Sequence, residues 1–204
     1  MSLRRIDLLP ENAPTTSLFG RLKQAFIRLT PRAAGATPRG RAQGGAPGVE
    51  LTRLALQREG DALTVEFNAR VTLSRAVEDA LRRGVPVYFV AEATLYRSRW
   101  YWRDERIARV RRVWRVAFQP LTAAWRVALG GLGQSYGSLG EALAATSSAS
   151  GWALASMADL DADAIHYLRF RYELDATRLP GPMQIGIEGR PGWVLRAERE
   201  LPLD

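Results

Sequence analysis

The sequence predicts a mainly β protein, an antiparallel β-sandwich that is loosely immunoglobulin-like, with two short helices in its connections. Two stretches carry this reading through a period of two: Leu63, Val65, Phe67, Ala69 and Val71 alternate with polar residues, and so do His166, Leu168, Phe170, Tyr172 and Leu174. Such alternation suits a strand with one buried and one wetted face. The third observation is that short turn clusters separate the extended runs, which closes hairpins and leaves no room for the crossover helices of a parallel sheet. A single sheet with helices on one face is the alternative architecture.

From the N-terminus, residues 1–47 read as a disordered basic arm and linker, and residues 48–204 as one β-rich domain. Residues 33–48 are dominated by Gly, Ala, Pro and Arg, a composition that holds no packed conformation. Upstream, Leu18, Leu22, Phe26 and Leu29 recur at helical spacing around Arg21, Lys23 and Arg28, which reads either as a transient helix or as a docking helix.

Within the domain, Val49–Arg58 joins the first alternating strand across Glu59-Gly60-Asp61. Val85–Tyr96 is apolar on both faces, which places it centrally in a sheet. Arg106–Phe118 and Ala123–Leu129 flank Gln119-Pro120-Leu121-Thr122 as a second hairpin. Met183–Ile187 and Trp193–Leu201 flank residues 188–192 as a third. A helix over residues 75–83 follows Ser74, buries Ala76, Val77, Ala80 and Leu81, and stops at Gly84. A second over 139–146 follows Ser138, with Glu141 placed to complete a capping box.

Composition narrows the chemistry. The chain has no cysteine, which excludes disulfides, thiolate metal sites and cysteine nucleophiles. No apolar run reaches the roughly 18 residues of a membrane-spanning helix. The net charge is +8, unevenly distributed: residues 1–48 hold eight basic residues against two acidic, residues 97–126 nine against two, and residues 127–204 six against ten. Lys23 is the only lysine beside 28 arginines, a bias that points to codon usage as much as to recognition.

Three constellations invite a chemical reading. Gly133-Gln134-Ser135-Tyr136-Gly137 matches the G-x-S-x-G pattern of serine hydrolases, and Asp159, Asp161, Asp163 and His166 follow in the right order. Against it, His166 is the only histidine, it falls in register with the apolar face of a strand, and the elbow belongs to a parallel sheet. A glycine-rich turn into a capped helix explains the same letters, so no catalytic residue is assigned. The three aspartates resemble the start of a calcium loop, but Ala164 and Phe170 stand where glycine and glutamate are required, so no metal site and no cofactor are assigned. The third is the basic and aromatic stretch. Arg99, Trp100, Tyr101, Trp102 and Arg103 form a loop, and Arg109, Arg111 and Arg115 share one face of the next strand. Guanidiniums fork onto carboxylates or phosphates and stack on rings, so these eight residues are the candidate binding site. A solvated strand face whose arginines pair with neighbouring carboxylates is the plainer reading.

Five segments together resemble a known family: Val49-Glu50-Leu51-Thr52-Arg53-Leu54, Leu81–Glu92, Arg99-Trp100-Tyr101-Trp102, Trp114-Arg115-Val116-Ala117-Phe118 and Gly130–Tyr136. The chain is similar over about residues 49–200 to the bacterial domain of unknown function 4390. The resemblance implies an exported, periplasmic protein, often encoded beside a sensor histidine kinase, with no established activity. Relatives tend to begin with a signal peptide, whereas this chain begins with the arginine-rich arm. The expectation is a non-enzymatic binding or regulatory module, accessory to an envelope signalling system, whose partner is a protein such as a sensor kinase. Polyanion or nucleic-acid binding by the arm and patch is the alternative, and a serine hydrolase the remote one.

Overall fold

The computed structural model describes residues 46–181, 187 and 190–203. The expected arm and linker over 1–47 lie outside these residues except for Ala46 and Pro47, and the amphipathic pattern from Leu18 to Leu29 lies wholly outside them. The elements in chain order are β1 (Gly48–Glu59), β2 (Ala62–Thr72), α1 (Arg75–Arg82), β3 (Val87–Arg97), β4 (Glu105–Gln119), β5 (Ala124–Leu129), β6 (Leu132–Tyr136), α2 (Leu139–Thr146), β7 (Ser148–Ser156), β8 (His166–Leu174) and β9 (Arg196–Leu203).

Alternation along the chain becomes two sheets. One holds three strands in the order β1-β2-β7, the other six in the order β6-β5-β4-β3-β8-β9, and every pairing among the described residues is antiparallel. The expected antiparallel sandwich is observed, with the strands divided unequally. β1 and β2 join through Gly60 and Asp61, and Gly60 takes φ +61°, a left-handed turn conformation that favours glycine. β3 lies between β4 and β8, as its apolar composition requires, and even its outward Val90 and Thr94 are buried.

The core is built from the facing sides of the two sheets. β2 contributes Leu63, Val65 and Phe67, β8 contributes Leu168, Phe170, Tyr172 and Leu174, and β3 contributes Phe89, Ala91, Ala93 and Leu95. Phe67 is the meeting point: its ring centre lies 4.8 Å from that of Phe170, 5.8 Å from Tyr172, 6.3 Å from Trp114 and 6.5 Å from Trp152. The small sheet is too narrow to cover the large one, and α2 lies against β4, β5 and β6 instead.

The helices start as the sequence requires. The Ser74 hydroxyl accepts the Val77 amide at 3.3 Å, and the Ser138 hydroxyl accepts the Glu141 amide at 3.2 Å. The expected capping box is only half formed, because the Glu141 carboxylate accepts the amide of Gly137 at 3.2 Å, one residue beyond Ser138. Ala76 is exposed instead of buried, since the two turns of α1 confine the buried stripe to Val77, Ala80 and Leu81.

Three further points differ from expectation. Ser148–Ser156 forms β7 between no strong strand formers, because pairing with β2 and burial of Trp152 and Leu154 override its weak intrinsic preference. Leu132–Tyr136, read as a turn, is the edge strand β6. In the third expected hairpin, the last strand begins at Arg196 instead of Trp193 and pairs with β8. Residues 183–186 and 188–189 of that expectation lie outside the described residues.

Truncating the residue at the meeting point should be the most damaging core change. Phe67→Ala is expected to destabilise the domain by roughly 3–5 kcal/mol, and Phe67→Leu, which keeps part of the apolar volume, by clearly less. Urea unfolding followed by tryptophan fluorescence checks both; similar midpoints for the two variants would show that the ring cluster is not the keystone.

Candidate functional site

The eight residues singled out from the sequence do not form one site. Arg99, Trp100, Tyr101, Trp102 and Arg103 lie in the loop between β3 and β4, at one end of the six-stranded sheet. Arg109, Arg111 and Arg115 lie on the outer face of β4, whose register places them beside Thr94, Glu92 and Tyr88. At about 3.4 Å per residue, Arg115 stands roughly 35–40 Å along the strand from the loop.

The two groups also differ in their surroundings. On the outer face, Arg109 reaches Glu92 at 2.6 Å, and Arg171 of β8 reaches the other oxygen of the same carboxylate at 3.5 Å. The ion pair holds the Arg109 guanidinium above its ordinary pKa, chiefly through the hydrogen bond to Glu92. Arg111 reaches Asp175 at 3.3 Å, and Arg178 shares that carboxylate at 3.1 Å. Arg115 has no carboxylate partner among the described residues. Arg112 turns to the inner side, where its guanidinium lies 4.9 Å over the Trp152 ring and burial lowers its pKa.

The loop has a clamped base and bare tips. The Ser98 amide donates to the Ile165 carbonyl at 2.8 Å, and the Arg99 amide donates to the Asp104 carboxylate at 3.2 Å. The guanidiniums of Arg97 and Arg99 both engage Glu105, and Arg97 also reaches Asp161 at 3.4 Å. The Tyr167 hydroxyl donates to the second oxygen of Asp104 at 2.6 Å. Beyond these bonds, Trp100, Tyr101 and Trp102 are 93%, 68% and 74% exposed. Trp100 and Tyr101 meet edge to face at 5.0 Å. A cleft of about 540 Å³ runs between this loop and residues 161–165, and Ile165, 73% exposed, stands on its far wall.

Sequence reasoning missed Tyr167 and Ile165 as parts of this end of the molecule. Tyr167 is legible as an outward residue of an alternating strand; what it reaches is set by the chain's return 63 residues later.

The G-x-S-x-G residues are not brought together with a base. Ser135 lies on β6 and His166 on β8, with three strands between them, roughly 19 Å sideways at about 4.8 Å per strand, and the register sets them at opposite ends of the sheet. They also face opposite ways, since Ser135 pairs with Arg126 on the outer side while His166 points inward and is buried. At Gly133 the Arg126 guanidinium of the neighbouring β5 lies close over the backbone: a Cβ there would stand 2.9 Å from its Nε, and the arginine would have to shift. The aspartates of the expected acidic turn serve the backbone. Asp159 accepts the Ser156 amide at 3.1 Å and Asp161 accepts the Asp163 amide at 3.2 Å. Among the described residues no group of three or more His, Cys, Asp or Glu could hold a metal ion. No helix among them is long and apolar enough to cross a membrane.

The model of the family described as a domain of unknown function (DUF4390) matches residues 46–201, and the chain belongs to that family. No curated protein and no solved structure matches it.

The clamp can be tested through its titration. The bond from Tyr167, with the Arg99 amide next in effect, holds the Asp104 carboxyl below the usual carboxylate range, while burial and the same bond push Tyr167 up to about 12. A depressed carboxylate stabilises the fold above its unfolded pKa, and that contribution is lost as pH falls through the folded value. Tyr167→Phe should therefore move the Asp104 midpoint upward in an NMR titration and speed hydrogen exchange at Arg99. An unmoved midpoint would show that the hydroxyl does not hold the loop.

Proposed function

We propose that this DUF4390 domain is a non-enzymatic binding module of the bacterial envelope, which holds a protein partner with its β3–β4 loop. The observation that carries the reading is the exposure of three consecutive aromatic side chains on a clamped base. Exposed apolar surface of this kind costs solubility and is uncommon without a use. Tryptophan, tyrosine and arginine are also the residues that dominate binding energy at protein interfaces, where a rigid support limits the entropy lost on contact. Arg99 and Arg103 flank the aromatics and suit a partner with carboxylates at the rim of its pocket.

The extracytoplasmic part of a sensor kinase is the first partner to test, on the neighbourhood that the family resemblance implies. A second reading, polyanion binding, draws support from the net charge of +8 and from Arg115, which faces outward without a carboxylate. It predicts affinity that falls steeply with salt and weakens on deletion of residues 1–45.

Cross-linking separates these readings. A photoreactive phenylalanine analogue at Tyr101, in cells fractionated after illumination, should give one discrete adduct with an envelope protein. The same group at Leu121, fully exposed on the β4–β5 turn, should give none. Trp100→Ser with Trp102→Ser should remove the adduct, since two anchors worth about 2 kcal/mol each amount to roughly a thousandfold in affinity. An adduct that survives the double substitution would sink the proposal.

A further inference from the structure

β4 is 15 residues long, yet β5 pairs only with its second part, Trp114–Gln119. On the side away from β3, Glu105–Val113 meets no strand among the described residues, and no other backbone hydrogen bond reaches it there. The open edge runs roughly 30 Å, at about 3.4 Å per residue, from the aromatic loop to the point where β5 ends. Alternate residues along it direct an amide and a carbonyl outward, which is the template that strand addition uses.

We propose that Glu105–Val113 is the docking edge for an extended acidic segment of a partner protein, which lies along β4 in line with β5. The inference rests on the reading of the domain as a protein-binding module and names the chemistry of what it binds. The register sets that chemistry. Arg106, Arg109 and Arg111 pair with outward residues of β3, and Ala108 and Val110 with inward ones. A segment laid beside them meets guanidiniums on one face, and on the other Ala108 and Val110, followed by Arg112, whose guanidinium is already laid over Trp152, so a segment that alternates carboxylate with apolar residues fits.

Positive charge remains in excess after the internal pairs are made. Glu92 is shared by Arg109 and Arg171, and Asp175 by Arg111 and Arg178. The only carboxylate of the edge, Glu105, is held by Arg97 and Arg99. A recess of about 630 Å³ opens where β5 stops, lined in part by Arg111, Arg115, Arg178 and Tyr88, and it suits a carboxylate at the segment's end.

Charge also disfavours one other occupant. The same edge of a second copy would set arginine beside arginine across the new pair, which is destabilising.

The test uses the full chain, isotopically labelled, and a synthetic nine-residue peptide of alternating glutamate and valine. Amides of Glu105–Val113 that face away from β3 should exchange at least tenfold more slowly with the peptide present. A lysine and valine peptide should have no effect. Methylating alternate amide nitrogens of the acidic peptide should abolish the slowing in one phase, where the methyls face β4, and leave it in the other. No slowing with the acidic peptide, or equal slowing in both methylated phases, would overturn the proposal; the latter would mean attraction of charge without pairing. The same measurement on Trp100→Ser with Trp102→Ser separates the two readings. Retained slowing beside an undiminished cellular adduct leaves the edge standing and removes the aromatic loop as the anchor.

Discussion

Contact between the two sheets at Phe67 is the constraint on which the rest of the molecule depends. The ring of Phe67, fully buried on β2, meets Phe170 and Tyr172 on β8 and Trp114 on β4, so one residue of the small sheet fixes three positions of the large one. Because strand side chains alternate, a slip of one residue in β8 would turn Phe170 outward and bring Arg169 or Arg171 into the core. The register of β8 against β3 then follows, and with it the placement of Tyr167 beside the loop that it anchors.

The outer face of the large sheet is the reverse of that core. Arginines of β4, β8 and β9 alternate with glutamates of β3, β8 and β9; Glu92, Glu173 and Glu198 each serve two guanidiniums, and Glu200 serves Arg169. Exposed pairs of this kind add at most about 1 kcal/mol each, so the lattice is a poor source of stability. Its effect lies in occupancy: a guanidinium held by a carboxylate contributes less to an external anion than its formal charge suggests. The arginine-rich face is thus a weaker candidate for polyanions than residues 97–126 imply by composition alone.

Much of this was legible in the sequence, for reasons that can be named. The β1–β2 hairpin, the central place of β3 and the buried face of β8 follow from local alternation and turn chemistry, which act over a few residues. β7 was not legible, because Ser148–Ser156 becomes a strand only when Trp152 finds Phe67 and β2 supplies its hydrogen bonds. β6 was hidden by its glycine-rich surroundings, which read as a turn, although Gly133 sits in the strand beneath the Arg126 guanidinium. The aromatic loop stood out by composition. The pairing of Arg109 and Arg111 with carboxylates did not, since their partners lie 17 and 64 residues away and meet them only through sheet order. The G-x-S-x-G pattern misleads for the same reason, as sheet order sets Ser135 and His166 on different strands and faces.

One geometric fact links the loop with the edge beside it. β3 and β4 continue as a ribbon beyond the end of β5, to the Arg97–Glu105 pair at its tip. β8 supports that ribbon on the β3 side as far as His166, so the aromatic loop rests on backbone pairing instead of hanging free. On the other side no strand among the described residues pairs with it, and the same length that carries the loop outward leaves the Glu105–Val113 edge open. Natural sheets blunt such edges with charge, and four arginines in nine residues do this here against a second copy of the chain. The identical charge makes the edge selective, because a segment of opposite sign is the one strand for which the repulsive element becomes attractive.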